Sequence, residues 1–197
     1  AILSGDGLLT EAFTIMAKTG NHEDAAVMGR RLRAIKVVAE AAGAAGMVGG
    51  QAIDLEASGL GKQLASGPTT QLDAEALLDM HERKTGALIK AAAVSGAIIA
   101  GGSDAAVNAI RIYAQHLGLA FQIVDDILDV EGAAPDLGKT AGKDAAAGKP
   151  TYPSLYGVEA SRSHAAEAAN RARDALRETG LESRLTQIVD WVVSRTR

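Results

Sequence analysis

The chain has 197 residues, of which 47% are hydrophobic, so it is long enough to bury the core of one compact domain. Its net charge of −4, without any long basic run, argues against nucleic-acid binding. The sequence has no cysteine, which excludes disulfide bonds and thiolate chemistry. Alanine and glycine dominate the composition, and because alanine has the strongest helix propensity, closely packed helices are favoured.

The first part of the sequence predicts two helices. Apolar residues recur at helical spacing here and through most of the chain, and no stretch alternates with the period of two that is typical of strands. The first helix is expected to stop near Gly20, and the second to begin around Glu23 and continue into the glycine-rich run 43–50. Gly46 and Gly50 form a G-x-x-x-G pattern, which indicates close packing against a neighbouring helix. Three polar residues follow on this otherwise apolar element: Gln51, Asp54 and Glu56.

The middle of the sequence predicts a loop and then one long helix. Residues 57–72 are rich in Gly, Ser, Thr, Pro and Gln, a composition typical of loops. Asp73 is the predicted N-cap of a helix that ends at the glycine pair 101–102. The most apolar stretch, 86–102, is interrupted by Lys90, and its uncharged remainder is too short to cross a bilayer, which takes about 20 residues. We therefore expect a buried core helix and no membrane span.

The last part predicts a long helix, a long loop and two amphipathic helices. Ser103 or Asp104 caps the long helix, which is expected to run to about Val130. Residues 131–153 are rich in glycine, lysine and proline, and are expected to form a loop with at most short helical turns. Loops of this length are usually functional. The two closing helices are predicted at about 158–177 and 181–194.

The strongest chemical signal is a D-D-x-x-D motif made by Asp125, Asp126 and Asp129, with Gln122 one turn before it. Residues three and four apart share a helix face, so Gln122, Asp125 and Asp129 are expected to project together, with Asp126 about 100° away. The flanking residues are apolar, and carboxylates in such surroundings repel one another and tend to take up protons. A hard divalent cation relieves this repulsion, and oxygen ligands without His or Cys nearby favour magnesium. The alternatives are a solvated acidic face at a helix end or an N-cap of the next element.

A second signal is the segment 81–86, with the sequence HERKTG. Here Lys84 lies beside Thr85, and a cation next to a hydroxyl can bind a phosphate oxygen through charge-assisted hydrogen bonds. Taken alone, Lys84 is better interpreted as an exposed helix lysine. His81 has no second His or Cys at ligand spacing, so a core or surface histidine is favoured over a metal ligand.

A third signal is the repeated pairing of glycine with lysine inside the loop 131–153. The pairs are Gly138-Lys139, Gly142-Lys143 and Gly148-Lys149. Because they follow the acidic motif, they indicate a lid that closes over an anion such as diphosphate, whose charge lysines and magnesium would neutralise together. The spacing is not that of a Walker A loop. The alternative is a solvated linker.

These motifs occur in the order found in the trans-polyprenyl diphosphate synthases, and the chain most resembles the bacterial farnesyl diphosphate synthases. The motifs are Gly49-Gly50-Gln51 with Asp54-Leu55, His81-x-x-Lys84-Thr85-Gly86, Phe121-Gln122-x-x-Asp125-Asp126-x-x-Asp129, Gly138-Lys139-x-x-Gly142-Lys143-Asp144 and Gly148-Lys149-x-Thr151-Tyr152-Pro153. The resemblance covers essentially the whole of residues 1–197. It implies one all-α domain, an isoprenoid-synthase-type helical bundle around a deep central cavity, with 131–153 as an active-site lid. It also implies a cytoplasmic homodimer.

The resemblance further implies a reaction and a role for each matched residue. The reaction is the Mg²⁺-dependent condensation of an allylic diphosphate (dimethylallyl or geranyl) with isopentenyl diphosphate, to give farnesyl diphosphate. By matching, Asp125 and Asp129 bind magnesium, and Asp126 supports them. Five residues contact the allylic diphosphate or the developing cation: Lys84, Thr85, Gln122, Lys139 and Lys149. Gln51 and Asp54 are further cavity-facing candidates for the substrate site.

The sequence departs from the family's pattern at its beginning. The family has two aspartate-rich motifs, and the first lies upstream of the segment that matches residues 3–6, together with the basic residues that hold isopentenyl diphosphate. We therefore expect the chain to be a fragment that is inactive alone. Product length depends on residues near that first motif, so geranylgeranyl or another polyprenyl diphosphate is an open alternative to farnesyl diphosphate.

Three other classes of protein share some of these features. A class I terpene cyclase has Ser or Thr and then Glu at four-residue steps from its first metal ligand, where this chain has Asp129 and Ala133. A non-catalytic partner subunit of a heteromeric prenyl synthase fits the missing first motif, although such subunits often lose the second motif too. A purely structural helical bundle leaves the acidic motif and the Gly-Lys pairs unexplained.

Overall fold

The structure, a computed structural model, describes residues 2–18, 24–58, 72–131, 150–177 and 179–195. Within these ranges the chain is helical and contains no strand, as the sequence predicts. The elements are α1 (Ile2–Ala17), α2 (Ala25–Ala42), α3 (Met47–Ala57), α4 (Ala74–His81), a π-helical turn (Glu82–Gly86), α5 (Ala87–Ile99), α6 (Asp104–Glu131), α7 (Tyr152–Tyr156), α8 (Val158–Leu176) and α9 (Glu182–Ser194).

Short polar side chains begin two of these helices at the predicted positions. Asp73 Oδ1 accepts a hydrogen bond from Ala76 N at 2.9 Å and caps α4. Ser103 Oγ accepts one from Ala106 N at 3.2 Å at the start of α6. The first turn of a helix leaves its N–H groups without an intrahelical partner, so these bonds fix where α4 and α6 begin.

The predicted second helix is interrupted within the glycine-rich run. α2 ends at Ala42 and α3 begins at Met47, so residues 43–46 form a corner between two helices. A Cβ atom on Gly46 would lie 2.1 Å from the carbonyl oxygen of Ala41. Because a side chain there would overlap the backbone, glycine is required for the corner.

Gly50 lies where α3 touches the π-helical turn. A Cβ atom on Gly50 would lie 2.3 Å from Lys84 N and 2.7 Å from Lys84 Cα. The two backbones are therefore as close as a glycine permits. The close packing predicted from the G-x-x-x-G pattern is confirmed at Gly50, and it presses the segment that carries Lys84 against α3.

α6 is the central helix, and it packs against α5, α8 and α9. Small residues dominate the contact with α8, where Ala114, Ala169 and Ala172 are at most 1% exposed. Such side chains let the two helix axes approach closely. At the other contact, the hydroxyl of Tyr113 donates a hydrogen bond to the carbonyl oxygen of Leu185 at 3.0 Å, which ties α6 to α9.

A second apolar cluster surrounds the carboxyl-terminal half of α6, which carries the acidic motif. Its buried members are Leu72, Leu77, Met80, Ile123, Val124, Ile127, Tyr152 and Ala165. α1 lies at the edge of the bundle, packs on α2 and exposes four large apolar side chains: Leu3, Leu8, Leu9 and Ile15. Among the described helices, none combines the length and apolar character that a membrane crossing requires.

Candidate functional site

The three aspartates of the acidic motif have different environments near the end of α6. Asp126 is only 4% exposed, whereas Asp125 is exposed and Asp129 is half-buried. Consecutive residues of an α-helix are rotated by about 100°, so a helix with one face in the core turns Asp126 inward and Asp125 outward. The separation of Asp126 from Asp125 therefore agrees with the sequence analysis.

Asp126 is the centre of a buried hydrogen-bonded group. Its Oδ1 accepts a hydrogen bond from Gln122 Nε2 at 3.1 Å, and its Oδ2 accepts one from the backbone N–H of Tyr152 at 3.0 Å. His81 Nε2 lies 3.4 Å from Oδ2, but makes no hydrogen bond to any described residue. A carboxylate is costly to bury without polar partners, and these contacts compensate for that cost.

Gln122 connects this group to the π-helical turn. The hydroxyl of Thr85 donates a hydrogen bond to Gln122 Oε1 at 3.0 Å. The sequence analysis placed Gln122 on the face of Asp125 and Asp129, whereas its amide turns to Asp126. The physical reason is that residues three and four positions ahead are both within reach, and Asp126 offers a buried acceptor.

Lys84 is held by Asp54 across the contact between the π-helical turn and α3. Lys84 Nζ donates to Asp54 Oδ2 at 2.5 Å, and the two side chains are 32% and 9% exposed. Lys84 is therefore partly buried, and the interpretation of it as an exposed helix lysine, which the segment alone favoured, is wrong. The structure pairs these two predicted site residues, and it leaves Gln51 half-buried on the same helix as Asp54.

The π-helical turn itself was not predicted. Glu82–Gly86 inserts a wider turn between α4 and α5, and it carries both Lys84 and Thr85. Such turns are frequent at functional sites because they redirect side chains without ending the helix. Here Lys84 meets α3 and Thr85 meets α6. No sequence pattern in this segment distinguishes a π-helical turn from an ordinary helix.

His81 is a core residue, as the sequence analysis favoured over a ligand. It is 5% exposed and stacks on the ring of Tyr152, with the ring centroids 5.9 Å apart and an angle of 20° between the planes. Burial raises the pKa of the Tyr152 phenol to about 12, and the neighbouring Tyr156, Asp126 and Glu82 act in the same direction.

Arg195, at the C-cap of α9, is a site residue that the sequence analysis missed. Its Nη2 donates to the carbonyl oxygen of Phe121 at 2.9 Å and to Asp125 Oδ1 at 3.3 Å. The guanidinium carbon also lies 4.0 Å from the centroid of the Phe121 ring. These partners are 74 and 70 residues away in sequence, so no local pattern could have revealed the contact.

The electrostatic setting of Asp125 suits a cation. Although its side chain is 58% exposed, partial loss of solvent around its carboxyl group raises the pKa of Asp125, Arg195 opposes this, and the carboxylates of Asp126 and Asp129 raise the pKa further. A carboxyl group in this setting is stabilised in its charged form by a nearby divalent cation. The described residues contain no group of three His, Cys, Asp or Glu placed to share one metal ion. They therefore supply only part of the roughly six oxygen ligands that magnesium requires.

Two predicted site residues, Lys139 and Lys149, lie outside the described residues, as does the part 132–149 of the predicted lid 131–153. The described end of that segment is fixed in place. Thr151 caps α7 through a reciprocal pair of hydrogen bonds with Ser154, and the next residue, Tyr152, binds Asp126. The start of α7 is the short helical turn that the sequence analysis allowed in this region.

An all-helical bundle in which a threonine is hydrogen-bonded through a glutamine to a D-D-x-x-D motif, with a lysine next to that threonine, belongs to the isoprenoid-synthase class. Within it, the chain belongs to the polyprenyl synthetase family, whose sequence profile matches residues 1–190. The family expected from the five motifs is therefore confirmed.

Curated relatives include plant and bacterial proteins. Over 176 residues, covering 89% of this chain and 45% of the relative, the chain is 43% identical to "Heterodimeric geranylgeranyl pyrophosphate synthase large subunit 1, chloroplastic" of Arabidopsis thaliana. It is 40% identical to the farnesyl diphosphate synthase of Escherichia coli K12 over 203 residues, covering 100% of this chain and 64% of the relative. The chain thus spans about half to two thirds of the length of these relatives.

A solved structure supports the same fold. The geranyltransferase of Helicobacter pylori, crystallised with magnesium and isoprenyl diphosphate, superposes with a TM-score of 0.74 at 25% sequence identity. The match covers 98% of this chain and 58% of that one. The expected isoprenoid-synthase-type fold is confirmed for the described part of the chain.

Proposed function

We propose that the chain is part of a Mg²⁺-dependent trans-prenyltransferase that condenses an allylic diphosphate with isopentenyl diphosphate. The observation that carries the proposal is the chain of hydrogen bonds from Thr85 through Gln122 to Asp126 of the acidic motif. Lys84, the neighbour of Thr85 in the π-helical turn, adds a cation, which Asp54 of α3 holds. Family membership supports this chemistry, and so does the magnesium and isoprenyl diphosphate in the Helicobacter pylori structure.

The proposed role of Lys84 is to bind the leaving diphosphate. Ionisation of an allylic diphosphate places negative charge on the diphosphate, where a fixed cation stabilises the transition state more than the ground state. The ammonium group has three donors, and the hydrogen bond to Asp54 leaves others for phosphate oxygens. Magnesium held by Asp125 and Asp129 would neutralise further diphosphate charge. Lys139 and Lys149 are proposed to act on the same group.

Thr85 and Gln122 are proposed to stabilise the positive charge that remains on the allylic carbons. Both present oxygen atoms, and their mutual hydrogen bond fixes these dipoles before the reaction begins. Water would quench an allylic cation, so the reaction needs a site from which water is excluded. The apolar cluster around the end of α6 contributes to such a site.

The product and the assembly are finer points of the same proposal. Farnesyl diphosphate is the proposed product, with geranylgeranyl diphosphate as the alternative, because named relatives include synthases of both. A cytoplasmic homodimer is proposed. The exposed apolar side chains of α1 are one surface that a second subunit could cover. The alternative is that the chain belongs to a non-catalytic partner subunit of a heteromeric synthase. This alternative is supported by one relative whose name describes it as heterodimeric.

A product assay with isopentenyl and geranyl diphosphates tests the proposal on two proteins, residues 1–197 and the full-length protein. We expect product only from the full-length protein, because 1–197 lacks the first aspartate-rich motif. The substitution Asp125→Ala in the full-length protein should lower the rate by about two orders of magnitude or more, since it removes a metal ligand. The control is Asp174→Ala, which removes an exposed ion pair on α8 and should leave the rate unchanged.

Three outcomes would contradict the proposal. Turnover by residues 1–197 alone would show that the site needs no upstream aspartate-rich motif. An Asp125→Ala enzyme of normal activity would remove the metal assignment. A full-length protein that is inactive and has no upstream aspartate-rich motif would favour the partner-subunit alternative. Chromatography of the products would decide between farnesyl and geranylgeranyl diphosphate.

A further inference from the structure

The buried Asp126 has a different task from the exposed Asp125 beside it. Both of its carboxylate oxygens already accept a hydrogen bond, one from Gln122 Nε2 and one from the N–H of Tyr152. At 4% exposure, Asp126 is too buried for solvent to replace these donors. Turning the carboxylate toward a metal ion would leave an amide and a backbone N–H buried without an acceptor.

The hydrogen bonds of Asp126 define the orientation of the Gln122 amide. An ionised carboxylate only accepts hydrogen bonds, so Gln122 must present its NH₂ group to Asp126. The carbonyl oxygen of Gln122 then faces the other way, toward the hydroxyl of Thr85, which donates to it at 3.0 Å. The hydroxyl hydrogen of Thr85 is thereby used in the bond to Gln122. The lone pairs of the Thr85 oxygen remain available to other partners. The chain of hydrogen bonds has one direction, from Thr85 through Gln122 to Asp126.

Asp126 also joins two other segments to this chain. Tyr152, the first residue of α7, donates its backbone N–H to Oδ2 at 3.0 Å, and its ring stacks on His81. Gln122 of α6 and the start of α7 therefore contact this carboxylate directly, and Thr85 of the π-helical turn reaches it through Gln122.

We propose that Asp126 is a positioning residue and not a metal ligand. It fixes the Gln122 amide so that the oxygens of Gln122 and Thr85, rather than an N–H donor, are available to a positively charged group. The inference rests on the proposed function for the nature of that group. The assignment of the hydrogen-bond direction rests only on the contacts of Asp126.

The test uses Asp126→Asn and a compensating double substitution, Asp126→Asn with Gln122→Glu, in the full-length protein. An asparagine has one acceptor and one NH₂ group, so when its oxygen accepts from the N–H of Tyr152 it turns its NH₂ group toward Gln122. The Gln122 amide must then either face a donor with a donor or flip and turn its own NH₂ group toward Thr85. In the double variant, the NH₂ group of the new asparagine can donate to the new glutamate, whose second carboxylate oxygen can accept from Thr85. The net charge of the pair is unchanged, and an oxygen again faces Thr85.

The first readout is the affinity for Mn²⁺ in the presence of inorganic pyrophosphate, which is measured by electron paramagnetic resonance. We expect Asp126→Asn to bind Mn²⁺ within about twofold of wild type, because its contacts are to Gln122 and Tyr152, and the matched variant Asp125→Asn to bind it about tenfold or more weakly, because it loses an oxygen ligand. Equal weakening in both variants would make Asp126 a ligand and overturn the proposal.

The second readout is steady-state kinetics with thermal unfolding of the same proteins. Asp126→Asn should lower kcat about tenfold or more, change the KM for geranyl diphosphate little, and lower Tm. The double variant should recover much of both losses. A double variant whose kcat and Tm are no better than those of Asp126→Asn would contradict the proposal. If the wild-type protein makes no prenyl product, the proposed function fails, and recovery of Tm still decides the role of Asp126.

Discussion

At the scale of single residues, the site depends on charged groups that are held by neighbours rather than left to solvent. Asp54 is 6% exposed and pairs with the ammonium group of Lys84 at 2.5 Å. A lysine held in this way loses less side-chain entropy when it binds an anion, because its flexible side chain is already ordered. The same pairing makes each partner depend on the other for its stability.

The pair gives a prediction about both activity and stability. Lys84→Met removes the cation and should lower kcat/KM about 10²-fold or more, by analogy with the loss of one charge-stabilising donor. Lys84→Arg keeps the charge and is the matched control, which should retain more activity than Lys84→Met. Because a buried carboxylate without its cation is unfavourable, the double variant Lys84→Met with Asp54→Asn should unfold at a higher temperature than Lys84→Met alone. Calorimetry of these variants checks this, and a double variant that melts below Lys84→Met would refute it.

At the scale of elements, the position of Lys84 is determined by how closely α3 approaches the π-helical turn. Gly50 is the point of contact, where a Cβ atom would lie 2.3 Å from a backbone nitrogen. Backbone atoms cannot move aside as the end of a flexible side chain can. Any side chain at position 50 must therefore push the two elements apart.

Gly50→Ala should consequently lower the free energy of unfolding by about 1–3 kcal/mol, since overpacking forces the backbone to shift. The matched control is Gly96→Ala on α5, where a Cβ atom would meet nothing within 4 Å. Alanine favours helix over glycine by about 0.5–1 kcal/mol, so the control should be neutral or stabilising. Urea unfolding of both variants gives the comparison. A Gly50→Ala protein as stable as Gly96→Ala would show that the contact is looser than described.

At the scale of the whole molecule, buried tyrosines connect α6 with its neighbours and make the free energy of unfolding vary with pH in the alkaline range. Burial raises the pKa of both Tyr113 and Tyr152 to about 12, from an ordinary value of 10.0. In the unfolded chain the phenols lose their protons near the ordinary value. The contribution of the two buried, protonated phenols to the free energy of unfolding is therefore complete below about pH 10, and it is lost as the pH rises through about 12.

We expect the free energy of unfolding to fall between about pH 10 and pH 12, and to fall less steeply in Tyr113→Phe. The substitution should also cost about 1 kcal/mol at neutral pH, because it removes the hydrogen bond to the carbonyl oxygen of Leu185. Urea titrations at several pH values measure both effects. Parallel pH profiles for wild type and Tyr113→Phe would disprove the contribution of this residue.

The sequence by itself determined the helical class, most helix boundaries and the protein family. Hydrophobic periodicity and local capping residues place α6, α8 and α9 to within one or two residues, because both signals act within a few turns of the chain. The D-D-x-x-D motif and the order of the five motifs were sufficient to predict the polyprenyl synthetase family, which the profile match to residues 1–190 confirms.

Only the tertiary structure decided how these residues are used. Lys84 and Asp54 are 30 positions apart, Thr85 and Gln122 are 37 apart, and Asp125 and Arg195 are 70 apart. Periodicity carries no information on such pairs, because they arise from helix packing and from a π-helical turn that a single sequence does not reveal. For the same reason the sequence analysis grouped Gln122 with Asp125 and Asp129. In the structure one side of α6 is buried, and the Gln122 amide donates its hydrogen bond to Asp126 on that side. Which of three adjacent carboxylates faces the core is determined by packing, and that choice separates the buried Asp126 from the exposed Asp125.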